Sequence, residues 1–319
     1  MDRVIRIGTR GSLLALTQTG QVAEALVELG VFAEFELVII KTSGDRIQDR
    51  SLAEIGGKGL FIKEIEEAML EGKVDLAVHS MKDLPGEVAP GLVLEGMLPR
   101  QIPNDILITH DGCASIADLP RGACLGTSSL RRQSQAMAQR PDLKVIPLRG
   151  NVDTRLNKLW DREGGLDAII LAAAGMARLG RKLDEAVLIS IDDMLPAIAQ
   201  GTLGLEVREE DTELRERLRA VQDEDTLAVT RAERSLLKAL SGSCRIPLAG
   251  YATLDEDREV TLTGILTSPD GSQFVRSELT ANINDVTRLG ERVAAELLAG
   301  GGAQILNDLG IGIGEEGSH

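Results

Sequence analysis

Short apolar strands that alternate with amphipathic helices are the feature that most constrains the fold of this 319-residue chain. Such alternation is typical of an α/β domain. The first hundred residues predict a strand at 4–8, a helix at 12–29 with Ser12 as its N-cap, a buried strand at 35–41, a helix at about 60–71 and an apolar strand at 74–79. The chain is therefore expected to begin as a β-α-β unit.

The same alternation restarts after a proline-containing segment at 98–105, which predicts a second α/β domain. Its predicted elements are strands near 105–109, 122–126, 143–148 and 167–171 and helices at 129–140 and 152–162. A second connection rich in Pro and Gly, at 195–207, leads into an apolar strand that we expect to return to the first domain. Two such crossings would form a hinge.

The last third of the chain has a helix at 225–242, three alternating runs joined by turns, and a helix at 285–299. This pattern predicts a small antiparallel sheet with helices on one face. The predicted domains are residues 1–98 with 201–219, residues 104–196 and residues 222–310, followed by a disordered tail at 311–319.

Charge is distributed unevenly along the chain. The net charge is −15 at pH 7, which argues against a nucleic-acid partner because phosphate binding needs a basic surface. Between Arg121 and Lys182, however, twelve Lys and Arg residues stand against five Asp and Glu residues, a net of +7. This stretch is either a solvated basic surface or, as we favour, the wall of a cleft that binds a small polyanion.

The sequence shows no signal-peptide pattern and no apolar run of 18 residues, so we expect a cytoplasmic protein with reduced thiols and no membrane partner. Its three cysteines, Cys113, Cys124 and Cys244, lack metal-ligand or CxxC spacing, so no metal site is predicted. Cys113 and Cys124 lie in or beside apolar runs and are expected to act as small hydrophobic residues. Cys244 follows a helix on a loop beside Arg245, which makes it a candidate nucleophile or attachment point.

A polar cluster, Ser80, Lys82 and Asp83, follows the predicted strand VDLAVH and precedes Pro85. Open α/β sheets bind ligands at the carboxyl ends of their strands, which makes Asp83 a candidate catalytic carboxylate. The alternative is an Asp that only caps the turn before the proline. His79 suggests a hydrolase, but no GxSxG motif accompanies it, and a structural role is favoured.

Two later strands lead into patterns that predict anion binding. GTSSLRRQ opens a helix with hydroxyl groups and places two arginines in its first turn, where cations are unfavourable unless an anion lies there. LRGNVDTRL repeats the pattern, and paired arginines suit bidentate carboxylate binding. The candidate residues are Thr127, Ser128, Ser129, Arg131, Arg132, Arg149, Gly150 and Arg155. GGKGLF adds Lys58 and Phe61 on a flexible backbone, without the spacing of a Walker loop.

Eight motifs together resemble the porphobilinogen deaminase (hydroxymethylbilane synthase) family, in order and over nearly the whole chain: RIGTRGS, GGKGLF, AVHSMKDLP, GTSSLRRQ, LRGNVDTRL, LPAIAQG, RAER and SGSCRIPLAGYA. The resemblance implies a transferase of tetrapyrrole biosynthesis that joins four porphobilinogen molecules head to tail onto a dipyrromethane primer. Four ammonia molecules are released, and hydrolysis then frees hydroxymethylbilane. The implied fold is α/β, with two periplasmic-binding-protein-like α/β domains flanking a cleft, plus a small α+β domain with a three-stranded antiparallel sheet.

The resemblance also implies residue roles. Asp83 would be the catalytic carboxylate, hydrogen-bonding pyrrole N–H groups and stabilising the cation formed as ammonia leaves. The implied cofactor-binding residues are Cys244, which carries dipyrromethane through a thioether, and Ser80, Lys82, Thr127, Ser128, Ser129, Arg131, Arg132, Arg155 and Gln200. The implied substrate-binding residues are Arg10, Ser12, Lys58, Phe61, Arg149, Gly150 and Arg178. Residues 43–59 would form a lid, and the expected state is a monomer without metal.

A few positions depart from the family pattern. Ser243 and Ala199 stand where glycine is usual, Ile102 and Asn104 lack expected charges, and Glu54 lies in the predicted lid. These departures concern hinge contacts more than chemistry. The main alternative is a non-catalytic, two-lobed anion-binding protein, which leaves the cysteine loop unexplained. A cysteine-dependent hydrolase is less favoured because the sequence offers no positioned histidine.

Overall fold

The computed structural model describes residues 3–46, 62–182, 185–240 and 246–311, and its strands form three separate sheets. The strands in chain order are β1 (Ile5–Thr9), β2 (Phe35–Ile39), β3 (Leu76–Ser80), β4 (Leu92–Met97), β5 (Asp105–Thr109), β6 (Cys124–Gly126), β7 (Lys144–Ile146), β8 (Ala168–Ala172), β9 (Ala186–Leu188), β10 (Leu203–Arg208), β11 (Leu248–Leu254), β12 (Glu259–Thr267) and β13 (Phe274–Asn282).

The helices surround these sheets. In chain order they are α1 (Leu13–Glu28), α2 (Ser43–Arg46), α3 (Lys63–Leu70), α4 (Leu130–Gln139), α5 (Val152–Trp160), α6 (Ala173–Arg178), α7 (Thr212–Ala220), α8 (Glu224–Ala239), α9 (Val286–Leu297) and α10 (Ala303–Asp308). Short 3₁₀ turns cover Met81–Asp83, Glu163–Gly165 and Ile283–Asp285, and Leu298–Gly302 forms a π-helical turn.

The two larger sheets share one plan. The first has the strand order β2-β1-β3-β10-β4 and the second β7-β6-β8-β5-β9. In each, four strands run in one direction and one runs antiparallel to them: β10, between β3 and β4, and β5, between β8 and β9. The predicted return of the chain to the first sheet after residue 200 is confirmed, because β10 lies between β3 and β4.

The third sheet is antiparallel, in the order β11-β12-β13, and packs against α8 and α9. The predicted fold class, two α/β units and a small α+β unit with three strands, is therefore confirmed. The domain bounds given above stay a prediction, which the division into three sheets supports.

Strand β2 differs from its prediction. FELVIIK was expected to be buried, but β2 lies at the edge of the sheet and pairs only with β1, so Ile39 is 58% exposed. The prediction was wrong because hydrophobicity alone does not distinguish an edge strand from a central one. Strands β4 and β9 and helices α2, α6, α7 and α10 were not predicted.

Two chain crossings join the larger sheets, and they lie side by side. The Gln101 N–H donates to the Gly201 carbonyl at 3.2 Å. Gly201 has φ +92°, and a Cβ there would lie 2.4 Å from the Gln101 carbonyl oxygen, so only glycine fits this crossing. Ala199 also adopts a left-handed conformation, with φ +56°, at a position where the family usually has glycine.

Glu233 of α8 fixes both crossings to the third unit. Its buried carboxylate accepts hydrogen bonds from Arg100 Nη1 at 2.6 Å, from the Ala199 N–H at 2.5 Å and from the Ala252 N–H at 2.8 Å. The Arg100 guanidinium also lies 4.9 Å from the centre of the Tyr251 ring. One carboxylate thus ties the hinge to β11.

The hairpin turn between β12 and β13 rests on helix α4. Thr267 Oγ1 donates to Ser134 Oγ at 2.6 Å, and both side chains are fully buried. Gly271, with φ +72°, lies so close to the helix that a Cβ there would be 2.5 Å from the Ser134 carbonyl oxygen and from the Ala138 nitrogen. The third unit therefore contacts the second through a glycine that no larger residue can replace without displacing the turn.

We predict that Gly271→Ala lowers stability more than Gly122→Ala. Both glycines have φ +72°, so both substitutions carry the left-handed strain of about 1 kcal/mol, but nothing lies within 4 Å of a Cβ at Gly122. The backbone contact at Gly271 should add about 1–3 kcal/mol. Denaturant unfolding of the two variants measures the difference, and equal losses would show that the hairpin turn adjusts freely.

Candidate active site

Asp83 is presented by a turn with buried apolar anchors on both sides. Strand β3 ends at Ser80, and the 3₁₀ turn that follows buries Met81 while leaving the Asp83 side chain exposed. Leu84 is buried in the same core as Met81. Among the described residues, the Asp83 carboxylate has no hydrogen bond and no ion pair, although its charge acts on several cations nearby.

Lys82 is the nearest of these cations in sequence. Its side chain is half-buried, and Nζ donates to Gln200 Oε1 at 3.4 Å. Burial lowers the pKa of Lys82 to about 8; Asp83 opposes this shift, whereas the positive charge of Arg132 adds to it. A bound anion would therefore raise the pKa of Lys82 toward its ordinary value.

A second cluster lies at the start of strand β5, where Asp105 is fully buried. Arg131 Nη2 donates to Asp105 Oδ2 at 2.7 Å, and Arg132 Nη2 donates to Asp105 Oδ1 at 2.7 Å. Gln200 Nε2 donates to the same Oδ1 at 3.0 Å. These cations hold the pKa of Asp105 far below its usual range even though burial alone would raise it.

The structure thus identifies one anion that the two arginines of GTSSLRRQ required, and it is a carboxylate of the chain itself. Sequence reasoning missed Asp105, because nothing in NDILIT links it to a motif 26 residues later. Two guanidinium groups nevertheless share one carboxylate. The surplus positive charge remains, and the buried Arg131 Nε has no hydrogen-bond partner among the described residues.

Arg149 and Arg155 extend this positive surface. Arg155 Nε donates to the Gly150 carbonyl at 2.9 Å, which turns the side chain back toward the loop that precedes helix α5. Burial lowers the pKa of Arg155, the charges of Arg132 and Arg149 lower it further, and Asp83 opposes them. Charged side chains from the units of both large sheets, Asp83 from the first and Arg132, Arg149 and Arg155 from the second, are therefore close enough to interact electrostatically.

The three hydroxyl residues of GTSSLRRQ mainly shape the backbone. Ser128 Oγ donates to the Leu148 carbonyl at 3.0 Å, and Thr127 Oγ1 accepts from the Ser129 N–H at 3.1 Å. Ser129 is the N-cap of α4 and accepts from the Arg132 N–H. Ser12 likewise caps α1 by accepting from the Ala15 N–H at 3.3 Å. These bonds order the loops that surround the cations.

Arg178 lies at the hinge. Its guanidinium is buried and donates to Gln101 Oε1 at 2.8 Å and to the Gly201 carbonyl at 2.9 Å, beside a cavity of about 200 Å³. Burial lowers the pKa of Arg178 to about 10, and Asp83 partly opposes the shift. Arg10, Ser80 and Asp83 line a separate cavity of about 50 Å³.

Three predicted site residues, Lys58, Phe61 and Cys244, lie outside the described residues, as does most of the predicted lid at 43–59. His79 forms a buried pair with Glu206, with Nε2 and Oε2 2.8 Å apart, which fits the structural role that the sequence favoured. Within the described ranges no group of three or more His, Cys, Asp or Glu side chains can hold a metal ion, and no helix is long and apolar enough to cross a membrane.

Comparisons with known proteins agree on one family. A model described as porphobilinogen deaminase, dipyromethane cofactor binding domain, matches residues 5–216, and one described as porphobilinogen deaminase, C-terminal domain, matches residues 227–299. The chain is similar to a porphobilinogen deaminase from Syntrophobacter fumaroxidans, at 47% identity over 97% of this chain and 98% of that relative. A porphobilinogen deaminase from Exiguobacterium sibiricum is 48% identical over 96% of this chain and 98% of its own length.

Solved structures with lower sequence identity also match. The second substrate binding domain of a putative amino acid ABC transporter from Streptococcus pneumoniae has a TM-score of 0.45 and 15% identity, covering 74% of this chain and 94% of that chain. A periplasmic binding protein from Salmonella typhimurium has a TM-score of 0.39 and 13% identity, covering 70% and 94%.

We predict that Asp105→Asn destabilises the protein by about 3–5 kcal/mol, because it leaves two buried guanidinium groups without a neutralising charge. The folded-state pKa of Asp105 is depressed, so the wild-type contribution is present above about pH 4 and is lost as the pH falls toward the folded-state value. Unfolding curves between pH 2 and 7 check both effects. Asp111→Asn, which breaks an exposed pair with Arg162, is the control and should change stability little.

In protein without a bound anion at this site, Lys82 should titrate near pH 8, far below an ordinary lysine at about 10.4. Acylation of amines at increasing pH, followed by peptide mass spectrometry, measures this value directly. Because Asp83 supports the charged form of Lys82, Asp83→Asn should lower the pKa of Lys82 further. Acylation of Lys82 with the pH profile of the exposed Lys73 would contradict the prediction.

Proposed function

This chain belongs to the porphobilinogen deaminase family, and from that premise we propose that the groups around Asp83 carry out the family's reaction. That reaction is the stepwise joining of four porphobilinogen molecules to a covalently bound dipyrromethane, with release of ammonia. One observation carries the assignment: the exposed Asp83 carboxylate has no ion pair among the described residues, and its charge acts on Lys82, Arg155 and Arg178.

The positive surface fits a cofactor that bears several carboxylates. Arg131 and Arg132 share one buried carboxylate, the Arg131 Nε has no hydrogen-bond partner among the described residues, and the proximity of Arg132 lowers the pKa values of Lys82 and Arg155. Added carboxylates would relieve this repulsion. Arginine is suited to hold them because its planar donors match a carboxylate in pairs.

We assign the binding of these carboxylates to the cationic side chains and to the loops that Thr127, Ser128 and Ser129 order. The residues that would hold dipyrromethane are Ser80, Lys82, Thr127, Ser128, Ser129, Arg131, Arg132, Arg155 and Gln200, with Cys244 as the covalent attachment point. When bound, dipyrromethane supplies the ring carbon to which the first substrate unit is joined. Arg10, Ser12, Lys58, Phe61, Arg149, Gly150 and Arg178 are assigned to the incoming substrate.

Asp83 is assigned the central chemical role. A carboxylate without an ion pair among the described residues is available to accept hydrogen bonds from pyrrole N–H groups. Its negative charge stabilises the positive charge that develops on the substrate ring as ammonia leaves. Asp83 would also take up the proton that the ring carbon loses when the new bond has formed. Lys82 and Arg155 would bind the carboxylates of dipyrromethane rather than its rings.

We also propose that the protein is cytoplasmic and monomeric. Its proposed domains are residues 1–98 with 201–219, residues 104–196 and residues 222–310. The three-sheet division supports these domain bounds.

Intact-mass measurement of the purified protein tests the proposed function. We expect wild-type protein to carry the added mass of two linked pyrrole units on the peptide that contains Cys244. Cys244→Ser should lack this mass and all activity, whereas Cys113→Ser, which removes a free thiol elsewhere in the chain, should retain both. Asp83→Asn should fold and lose turnover by a factor of at least about 100. Failure of wild-type protein to become loaded after incubation with porphobilinogen would overturn the proposal.

A further inference from the structure

Helix α8 of the third unit packs against the turn that carries Asp83. Met81 and Leu84, on either side of Lys82 and Asp83, lie in one apolar core with the α8 residue Leu236. A Cβ placed at Gly86 would lie 3.6 Å from Lys238 Cα, so the chain after Asp83 runs directly against the helix. The position of the turn that carries the exposed Asp83 carboxylate therefore depends on α8.

Arg234 makes the polar contact in this interface. Its Nη2 donates to the Pro85 carbonyl and to the Gly86 carbonyl, each at 2.9 Å. These carbonyls follow Asp83 by two and three residues. A guanidinium that binds two successive carbonyls fixes both the distance and the orientation of the turn, which apolar packing does less specifically.

The charge of a buried carboxylate also acts on Arg234. Burial lowers the pKa of Arg234 to about 10, and the charge that opposes this shift is that of Glu206 in strand β10. Glu206 is fully buried and binds His79 through Oε2. Its Oε1 and the Arg234 Nη1 are both buried without partners in the described part of the chain. Arg234 thus binds the Asp83 turn directly, and the charge of Glu206 favours its protonated form.

We propose that Arg234 is a positioning residue for the reaction, which holds the Asp83 carboxylate in place by binding the Pro85 and Gly86 carbonyls from helix α8. This inference rests on the role assigned to Asp83 under the proposed function. The family motif RAER includes Arg234, but the residue belongs to none of the substrate-binding or cofactor-binding sets assigned above. It acts on the turn and not on the substrate.

The test compares Arg234→Met and Arg234→Lys with Arg231→Met, which removes an exposed arginine of the same helix. Arg234→Met should lower kcat about 100-fold, because small displacements of a catalytic group cost about that much. KM for porphobilinogen and the loaded mass of the protein should stay at wild-type values. The kcat of Arg234→Lys should lie between those of wild type and Arg234→Met, since an ammonium group keeps the charge but lacks the planar guanidinium geometry. Arg231→Met should match wild type.

A combination with Asp83→Glu separates positioning from general destabilisation. If Arg234 acts through Asp83, Arg234→Met should slow the Asp83→Glu enzyme much less than it slows wild type. Equal slowing in both backgrounds would overturn the proposal, as would wild-type kcat in Arg234→Lys and Arg234→Met. Should Arg234→Met fail to fold, Arg234→Lys gives the deciding measurement. A wild-type protein that loads no cofactor and consumes no porphobilinogen would instead overturn the proposed function.

Discussion

The buried carboxylate of Asp105 is the interaction on which the cleft depends. Two guanidinium groups cannot be taken from water at adjacent positions unless an anion accompanies them. Asp105 supplies that anion from strand β5, and Gln200, from the second crossing, binds the same oxygen as Arg132. The second sheet and the hinge therefore meet at one charge, and the remaining positive charge is available to a ligand.

The environment of Asp83 is the opposite of that of Asp105, because Asp83 is exposed. Its turn is held by apolar anchors and by contacts from helix α8, while the carboxylate itself has no ion pair among the described residues. A buried carboxylate in an ion pair is stable but is not accessible to a substrate. An exposed one on a rigid base can accept hydrogen bonds and protons from a substrate. Asp105 is thus neutralised within the structure, whereas the proposed reaction uses Asp83.

The sequence predicted most long elements, because their periodicity reports which faces are buried. The helix after Ser12, the antiparallel strands β11 to β13 and the return of β10 to the first sheet agree with the structure. The burial of β2 was wrong, because position within a sheet is a tertiary property. Asp105 and Glu233 were missed for the same reason: their partners are 19 or more residues away in sequence.

The sequence by itself determined the alternation of strands and helices, the basic stretch and the motifs that place this chain in its family, because these are local patterns or ordered runs of residues. Only the tertiary structure decided which charges neutralise one another. Asp105 takes Arg131 and Arg132, Glu233 takes Arg100, and Asp83 is left without an ion pair among the described residues. Electrostatic energy depends on distance and burial, and neither is fixed until distant segments pack together.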